Sequence, residues 1–281
     1  NTITGFFHRM EANRKLESRL AGDLAAADRY GIMSTHPRTA DRIRQAIGLA
    51  RATPVANPRI GRDSYLRHID GMVFGDDPSQ GVRRGRTFSH PGLGIRFQVP
   101  PGFVLFNRPQ QVIAKGPDGA AIVFDMVEDE KARKAGNLVD YLQGDWGSRL
   151  ALHDVEPLNV NGLRAATGRA AFQSKRGPMD IRLLAIRHGP QRLYRFIFQT
   201  PVRLTQRLGV ELQRTTYSFR RLSRDEAAAI RPLRLEIVVV KPGETAQDLA
   251  ASMPFEKARL ERFEVLNGLG HGQPLTPGRR V

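Results

Sequence analysis

Cysteine is absent from the chain. That excludes disulfides, a thiolate nucleophile and cysteine-ligated zinc, and it leaves cytosol and periplasm both open as compartments. Long apolar runs are missing as well. Nothing approaches the ~20 residues that a helix needs to cross a bilayer, and no signal-peptide pattern opens the chain. Several catalytic signatures are absent too. None of the seven histidines, at 8, 36, 68, 90, 153, 188 and 271, is followed by Glu or has a partner four residues on. The H-E-x-x-H helix, which supplies two zinc ligands and a general base, is therefore not in this chain. No G-x-S-x-G elbow and no G-x-x-x-x-G-K-[ST] loop occurs. "HPGLG" at 90–94 has two glycines but lacks the strand-before, helix-after setting of a dinucleotide-binding turn.

What is present is a chain of 281 residues, 40% apolar, with 44 basic against 28 acidic residues and a net charge of +16. This length supports one large core or two to three smaller ones. The charge favours anionic partners such as a phosphorylated polymer or an acidic membrane surface. The basic residues are spread along the chain in ones and twos, as at Arg83-Arg84 and Arg220-Arg221, and are interleaved with acids. That dispersal argues against nucleic acid, which a dense basic block would mark. The chain starts at Asn1 inside what reads as a helix, so it is expected to be a piece of something longer.

Residues 1–53 read as helical. Phe6, Phe7, Met10, Leu16, Leu20 and Leu24 recur at three- and four-residue steps and predict one apolar stripe. Gly31 ends that helix. Thr39 caps a second one, with Asp41 in its first turn and Ile43, Ala46, Ile47 and Ala50 on its buried face. Between them, "STHPRTADRI" puts His36 in a tight connector just before Pro37. Residues 54–84, rich in Pro, Gly and charge around a short apolar piece at Tyr65–Phe74, read as a linker holding one helical turn or two.

From about 85 to 225 the hydrophobic period becomes two. Ile95, Phe97 and Val99 alternate with Arg96 and Gln98, and Tyr194, Phe196 and Phe198 alternate with Arg195, Ile197 and Gln199. Ile197 points to burial on both faces there. Further strands are expected at 111–115, 120–127, 155–160, 164–172 and 181–187, with turns at "GPDG", Asn161-Gly162 and "HGPQ". Helices are expected at 138–150 and 204–212. Hairpin succession with only two helices predicts an antiparallel α+β sandwich rather than a doubly wound nucleotide-binding fold. Residues 233–281 open with "RLEIVVV" and continue through two short helices to "LTPGRRV", a βααβ pattern in which Thr245 caps the first helix.

Two charged stretches have a functional and a structural reading. The carboxylates of "DMVEDEK", 125–131, suit acid–base work, but a solvated turn at a strand end is the preferred reading. The aromatics and arginines of "RLYRFIF" suit base stacking, but a half-buried strand with outward arginines fits the alternation better.

"STHPRTADRI" resembles the T-H-P-x-T-x-x-R signature of H-E-x-x-H zinc metallopeptidases of the HtpX and CAAX-prenyl-protease type. "FFHRM", about 28 residues earlier, resembles that family's helix after its glutamate ligand. The resemblance covers residues 1–53. It implies that zinc and its catalytic ligands belong to residues ahead of Asn1, so that no catalytic residue lies in this chain and no zinc binds it tightly. It places His36 at the cleft, as a lining residue or an extra zinc ligand, and Arg42 beside it. The middle segment, "FSHPGLGIRFQVPPGF" through "VNGLRAATGRAAF", resembles the PsbP-like α/β sandwich, which implies docking onto other proteins or membrane complexes and no catalytic residues. The end segment, with "VKPGETAQDLA", "LNGL" and "LTPG", resembles LysM, a module that binds peptidoglycan and chitin. It implies a glycan groove lined by Gly243, Glu244, Thr245, Gly268 and Leu269.

The expected whole is α+β: a helical remnant of a metallopeptidase domain at 1–53, a linker at 54–84, a sandwich at 85–230 and a LysM-like domain at 233–281. The implied function is that of the accessory C-terminal part of a zinc metalloendopeptidase of the bacterial envelope, acting on protein substrates. The setting, periplasm or cell envelope, follows from the metallopeptidase and LysM resemblances. The alternative is a non-catalytic envelope protein that binds peptidoglycan or a protein partner.

Overall fold

The computed structural model describes residues 2–20, 48, 61–128, 130, 136–175 and 177–281. His36, Arg42, the helix expected to start at Thr39 and the first part of the linker lie outside them. The chain divides into two compact units. Val73–Leu233 forms one, and the described residues up to Met72 join Arg234–Val281 in the other. The segments expected as separate domains at 1–53 and 233–281 thus contribute to a single unit.

The central unit is antiparallel. Four strands, β1 (Val82–Arg84), β2 (Thr87–His90), β3 (Ile95–Gln98) and, after the other sheet, β11 (Arg220–Arg221), form a sheet in the order β11-β3-β2-β1. Seven more form the second: β4 (Val104–Arg108), β5 (Gln111–Lys115), β6 (Ala121–Glu128), β7 (His153–Val160), β8 (Leu163–Ser174), β9 (Gly177–Arg187) and β10 (Arg192–Pro201). Their order is β4-β5-β6-β10-β9-β8-β7.

Register explains the two faces of the large sheet. Val112, Phe124, Phe196 and Leu184 lie in one row across four strands, and Ile113, Val123, Ile197 and Leu183 in the next. Successive residues point to opposite faces, so these rows feed separate cores. The first row meets the small sheet. Phe97 packs edge-on against Phe196 at 5.1 Å between ring centroids, and Phe124 lies 4.8 Å from Phe196. The second row is covered by a short helix, α3, built from an α-turn at Leu138–Asp140 that runs on as a π-turn at Tyr141–Trp146. Asn137 caps it through Val139 N–H. Gly147 caps its end with an N–H to Leu142 O, and a Cβ there would come 2.3 Å from that oxygen; the helix expected to reach residue 150 ends at Trp146.

A long helix, α4 (Val202–Ser218), buries Leu204, Leu208 and Leu212 against the first core, and α5 (Arg224–Ala229) follows β11 with a Ser223/Glu226 capping box.

Three expectations fail in this unit. The segment read as linker contains strand β1, anchored by the Arg83–Asp76 pair at 2.8 Å. Its Gly81 is a structural requirement rather than a spacer: φ is +86° and a Cβ would lie 2.4 Å from the Phe88 ring. Asp125 and Glu128 of "DMVEDEK" are strand residues ion-paired to Arg195 and Arg192, not members of a solvated turn. Arg195 is not outward either, because α3 covers it. Its guanidinium lies 4.9 Å from the Trp146 ring and donates to Tyr141 Oη at 3.2 Å.

The other unit contains α1 (Thr2–Leu20), α2 (Arg62–Ile69), α6 (Ala246–Ala251) and α7 (Arg259–Asn267). In α1 Leu16 is buried, whereas Phe6 of the predicted apolar stripe is 53% exposed. "RLEIVVV" is not one strand. Leu235 exchanges backbone bonds with Gly71 and Met72, and Val238–Val240 pairs antiparallel with Arg279–Val281. Between these paired ends, Val240, Ala250, Phe263 and Val281 form a small core.

Candidate functional site

The loops implied to line a glycan groove stand at the start of α6 and the end of α7, two helices that pack on one another. The first loop is a turn. Gly243 has φ +80°, Glu244 N–H donates to Lys241 O, and the Glu244 carboxylate accepts from Lys241 N–H at 2.9 Å. Thr245 then starts α6. Its hydroxyl accepts from Asp248 N–H, while the Asp248 carboxylate accepts from Thr245 N–H and Oγ1–H at 2.9 and 2.6 Å. Those bonds from Thr245 hold the Asp248 carboxyl below the usual carboxylate range. The side chains of Glu244 and Thr245 are thus engaged in shaping the turn and capping the helix.

The second loop closes α7. Gly268 is left-handed at φ +62°, Leu269 N–H reaches back to Glu264 O at 2.8 Å, and the Leu269 side chain packs on the small core. Glu264, 5% exposed, accepts from Gly272 N–H at 3.0 Å and fixes the loop beyond. Gly268 is also covered. A Cβ there would come 2.8 Å from Arg9 Cδ and 2.9 Å from Arg9 Nη1, so the Arg9 side chain of α1 lies across it.

The contact extends along α7 as a reciprocal charge clasp. Glu17 of α1 accepts from Arg262 of α7 at 2.6 Å, and Arg19 of α1 pairs with Glu261 of α7. Glu261 raises the Arg19 pKa. Arg262 is 19% exposed and lies over the Phe255 ring at 4.6 Å, a cation–π arrangement that shields it from water. Sequence reasoning did not single out Arg9, Glu17, Arg19, Glu261 or Arg262. The acid-then-base order "ESR" in α1 and "LER" in α7 carries no pairing signal without knowing that the helices meet.

The sequence-derived residues therefore fall into two groups, the two loops and the pair His36 and Arg42. Gly243–Thr245 and Gly268–Leu269 build the two loops as turn and cap. Arg9 closes over one of them. His36 and Arg42 are outside the described residues. Among the described residues no three His, Asp or Glu side chains gather as metal ligands, and no helix is long and apolar enough to cross a membrane.

No protein-family model matches the chain, and no curated protein matches it in sequence. Among solved structures, the cyanobacterial PsbP of Synechocystis is similar at 12% identity over 50% of this chain and 98% of that one, with a TM-score of 0.39. LpqN of Mycobacterium tuberculosis, involved in cell envelope biogenesis, is similar at 12% identity over 59% of this chain and 100% of that one, with a TM-score of 0.38. A Bacteroides thetaiotaomicron protein matches at 10% identity over 57% of this chain, with a TM-score of 0.39. The chain spans about half of that protein's length, 54%. These likenesses are too distant to assign a family or an activity.

Proposed function

We propose that the chain is the C-terminal accessory portion of a bacterial envelope zinc metalloendopeptidase whose full-length form hydrolyses peptide bonds in envelope proteins. The observation that carries this reading is the clasp between α1 and α7. Helix α1 contains "FFHRM", which resembles the helix after the family's glutamate ligand. A βααβ module that grips this helix by two oppositely oriented ion pairs braces an element bordering the zinc cleft. The zinc, its ligands and the general base belong to the half ahead of Asn1, and this chain positions that half in the periplasm. The central unit, read as PsbP-like, serves docking.

The rival is a non-catalytic envelope protein that binds peptidoglycan or a protein partner. The Gly243–Thr245 turn favours it, because it lies in "VKPGETAQDLA", the stretch that resembles LysM, and Thr245 caps the helix that follows. Arg9 over Gly268 disfavours it as the chain stands.

The reading frame ahead of Asn1 gives the first test: H-E-x-x-H within about 100 residues supports the peptidase, and its absence refutes it. In the full-length protein, Glu17→Arg should lower zinc-dependent peptide hydrolysis and Glu17→Arg/Arg262→Glu should restore it. Pull-down of the chain by purified sacculi, with no peptidase motif upstream, would establish the rival.

A further inference from the structure

Beside the end of α4 the central unit has a cleft of about 620 Å³, lined by Arg96, Phe97, Gln98, Asn161, Tyr217 and Arg220 among others. Arg96 and Arg220 are direct cross-strand partners on β3 and β11. Like charges in that position repel. Among the described residues one carboxylate, Glu226, answers both. It takes two bonds from Arg220, at 2.5 and 2.8 Å, and one from Ser223 N–H, while Arg96 reaches it only through space. Arg220 uses a third N–H on Arg221 O. Two of its five N–H donors then remain.

A helix C-terminus ordinarily favours cations through its bare carbonyls, and that alone would account for arginines here. Of the last four carbonyls of α4, those of Thr215, Thr216 and Tyr217 are already answered. Leu212 O accepts from Arg182, Thr215 O from Ser218 Oγ, Thr216 O from Phe219 N–H, and Tyr217 O from Asn161 Nδ2 at 2.7 Å. Asn161 also holds Phe219 O, so the cleft wall is pinned to the helix end. What the cleft presents to solvent is therefore a guanidinium pair beside the Tyr217 ring and the Gln98 side chain.

We propose that this cleft is a carboxylate-binding site. The ligand's carboxylate bridges Arg96 and Arg220, completing the alternation Glu226, Arg220, carboxylate, Arg96, and its body lies along Tyr217. Guanidinium forks match a carboxylate with two parallel bonds. The acid is either a small free acid or the C-terminus of a peptide, which share this chemistry.

The test is an NMR titration of the whole chain, following arginine Nε–Hε signals, with three probes: succinate, acetyl-trialanine with a free C-terminus, and its C-terminal amide. A free carboxylate should bind and the amide should not. Arg96→Gln should weaken binding roughly tenfold or more, the worth of a lost charge-assisted pair of bonds, with an unchanged thermal midpoint. Should Arg96→Gln fold poorly, Arg96→Lys keeps the charge but loses the fork, and must weaken binding as well. Binding of the peptide acid alone identifies a peptide C-terminus, and equal binding of succinate identifies a small acid. No binding by either acid, equal binding of the amide, or undiminished affinity in the variants overturns the site.

Discussion

Replacing Asp125 with Asn probes how the large sheet carries charge on its helix-covered face. Asp125 receives two bonds from Arg195, 2.7 Å from Nε and 2.6 Å from Nη2. The two side chains are 19% and 26% exposed, and the guanidinium is roofed by Trp146 and Tyr141. With the carboxylate gone, Arg195 cannot turn to water without lifting α3. Removing one partner of a fully buried pair costs about 3–5 kcal/mol, and an exposed pair is worth about 0–1 kcal/mol. The residual exposure sets this one between them, at about 2–3 kcal/mol. For a unit of this size each kcal/mol moves the thermal midpoint by roughly 2–4 °C, so a fall of roughly 4–12 °C is expected. Trp146, the one tryptophan of the chain, stacks on Tyr141 and reports unfolding of this unit by fluorescence. Asp125→Asn/Arg195→Met removes both charges and should return to within about 1 kcal/mol of the parent, because no unpaired charge is left under the helix. A single variant that melts within about 1 °C of the parent would show that Arg195 is solvated, and the covered-face reasoning would be wrong.

Other outcomes follow from the same structure. Gly81→Ala adds a strained positive φ and a methyl against the Phe88 ring, and should cost about 3 kcal/mol in urea unfolding of the central unit. Glu226 is held down to about 2, chiefly by Arg220, so its contribution is complete above the unfolded value of 4.5 and is lost as pH falls toward 2. Glu226→Gln should flatten that part of the stability–pH curve. Burial also lowers the pKa of His90 and His188. Their neutral forms stabilise the fold fully above pH 6.5, and that contribution declines below it, which His90→Gln/His188→Gln should reduce. In a thermodynamic cycle, Glu17 and Arg262 should couple by about 0.5–1 kcal/mol, since Glu17 is half exposed.

The strands easiest to find were those with strong alternation. Gln111–Lys115 matches its expected bounds, and β6, β9 and β10 lie within a few residues of theirs, because each carries a dense run of apolar side chains and starts or ends near a glycine turn. Strands β2 and β4 are not among the expected ones, and neither are β1 and β11. Each of the last two is two or three residues long and mostly arginine, and only pairing to a neighbour makes it a strand. "RLEIVVV" misleads in the opposite way, since its β-branched run Ile237–Val240 reads as one strand with Leu235 and hides a division between two different partners.

Of the candidate site, the turn at Gly243–Thr245 and the cap at Gly268 were legible, because a left-handed glycine and a capping threonine are local requirements. The sequence by itself thus determined where the chain turns, which strand faces are apolar, and that no cysteine chemistry operates. Only the tertiary structure decided which charges meet. Arg195 with Asp125, Arg96 with Arg220, and Glu17 with Arg262 are separated by up to 245 positions. Opposite charges in a chain this rich in them have many possible partners, and register and helix packing select among them.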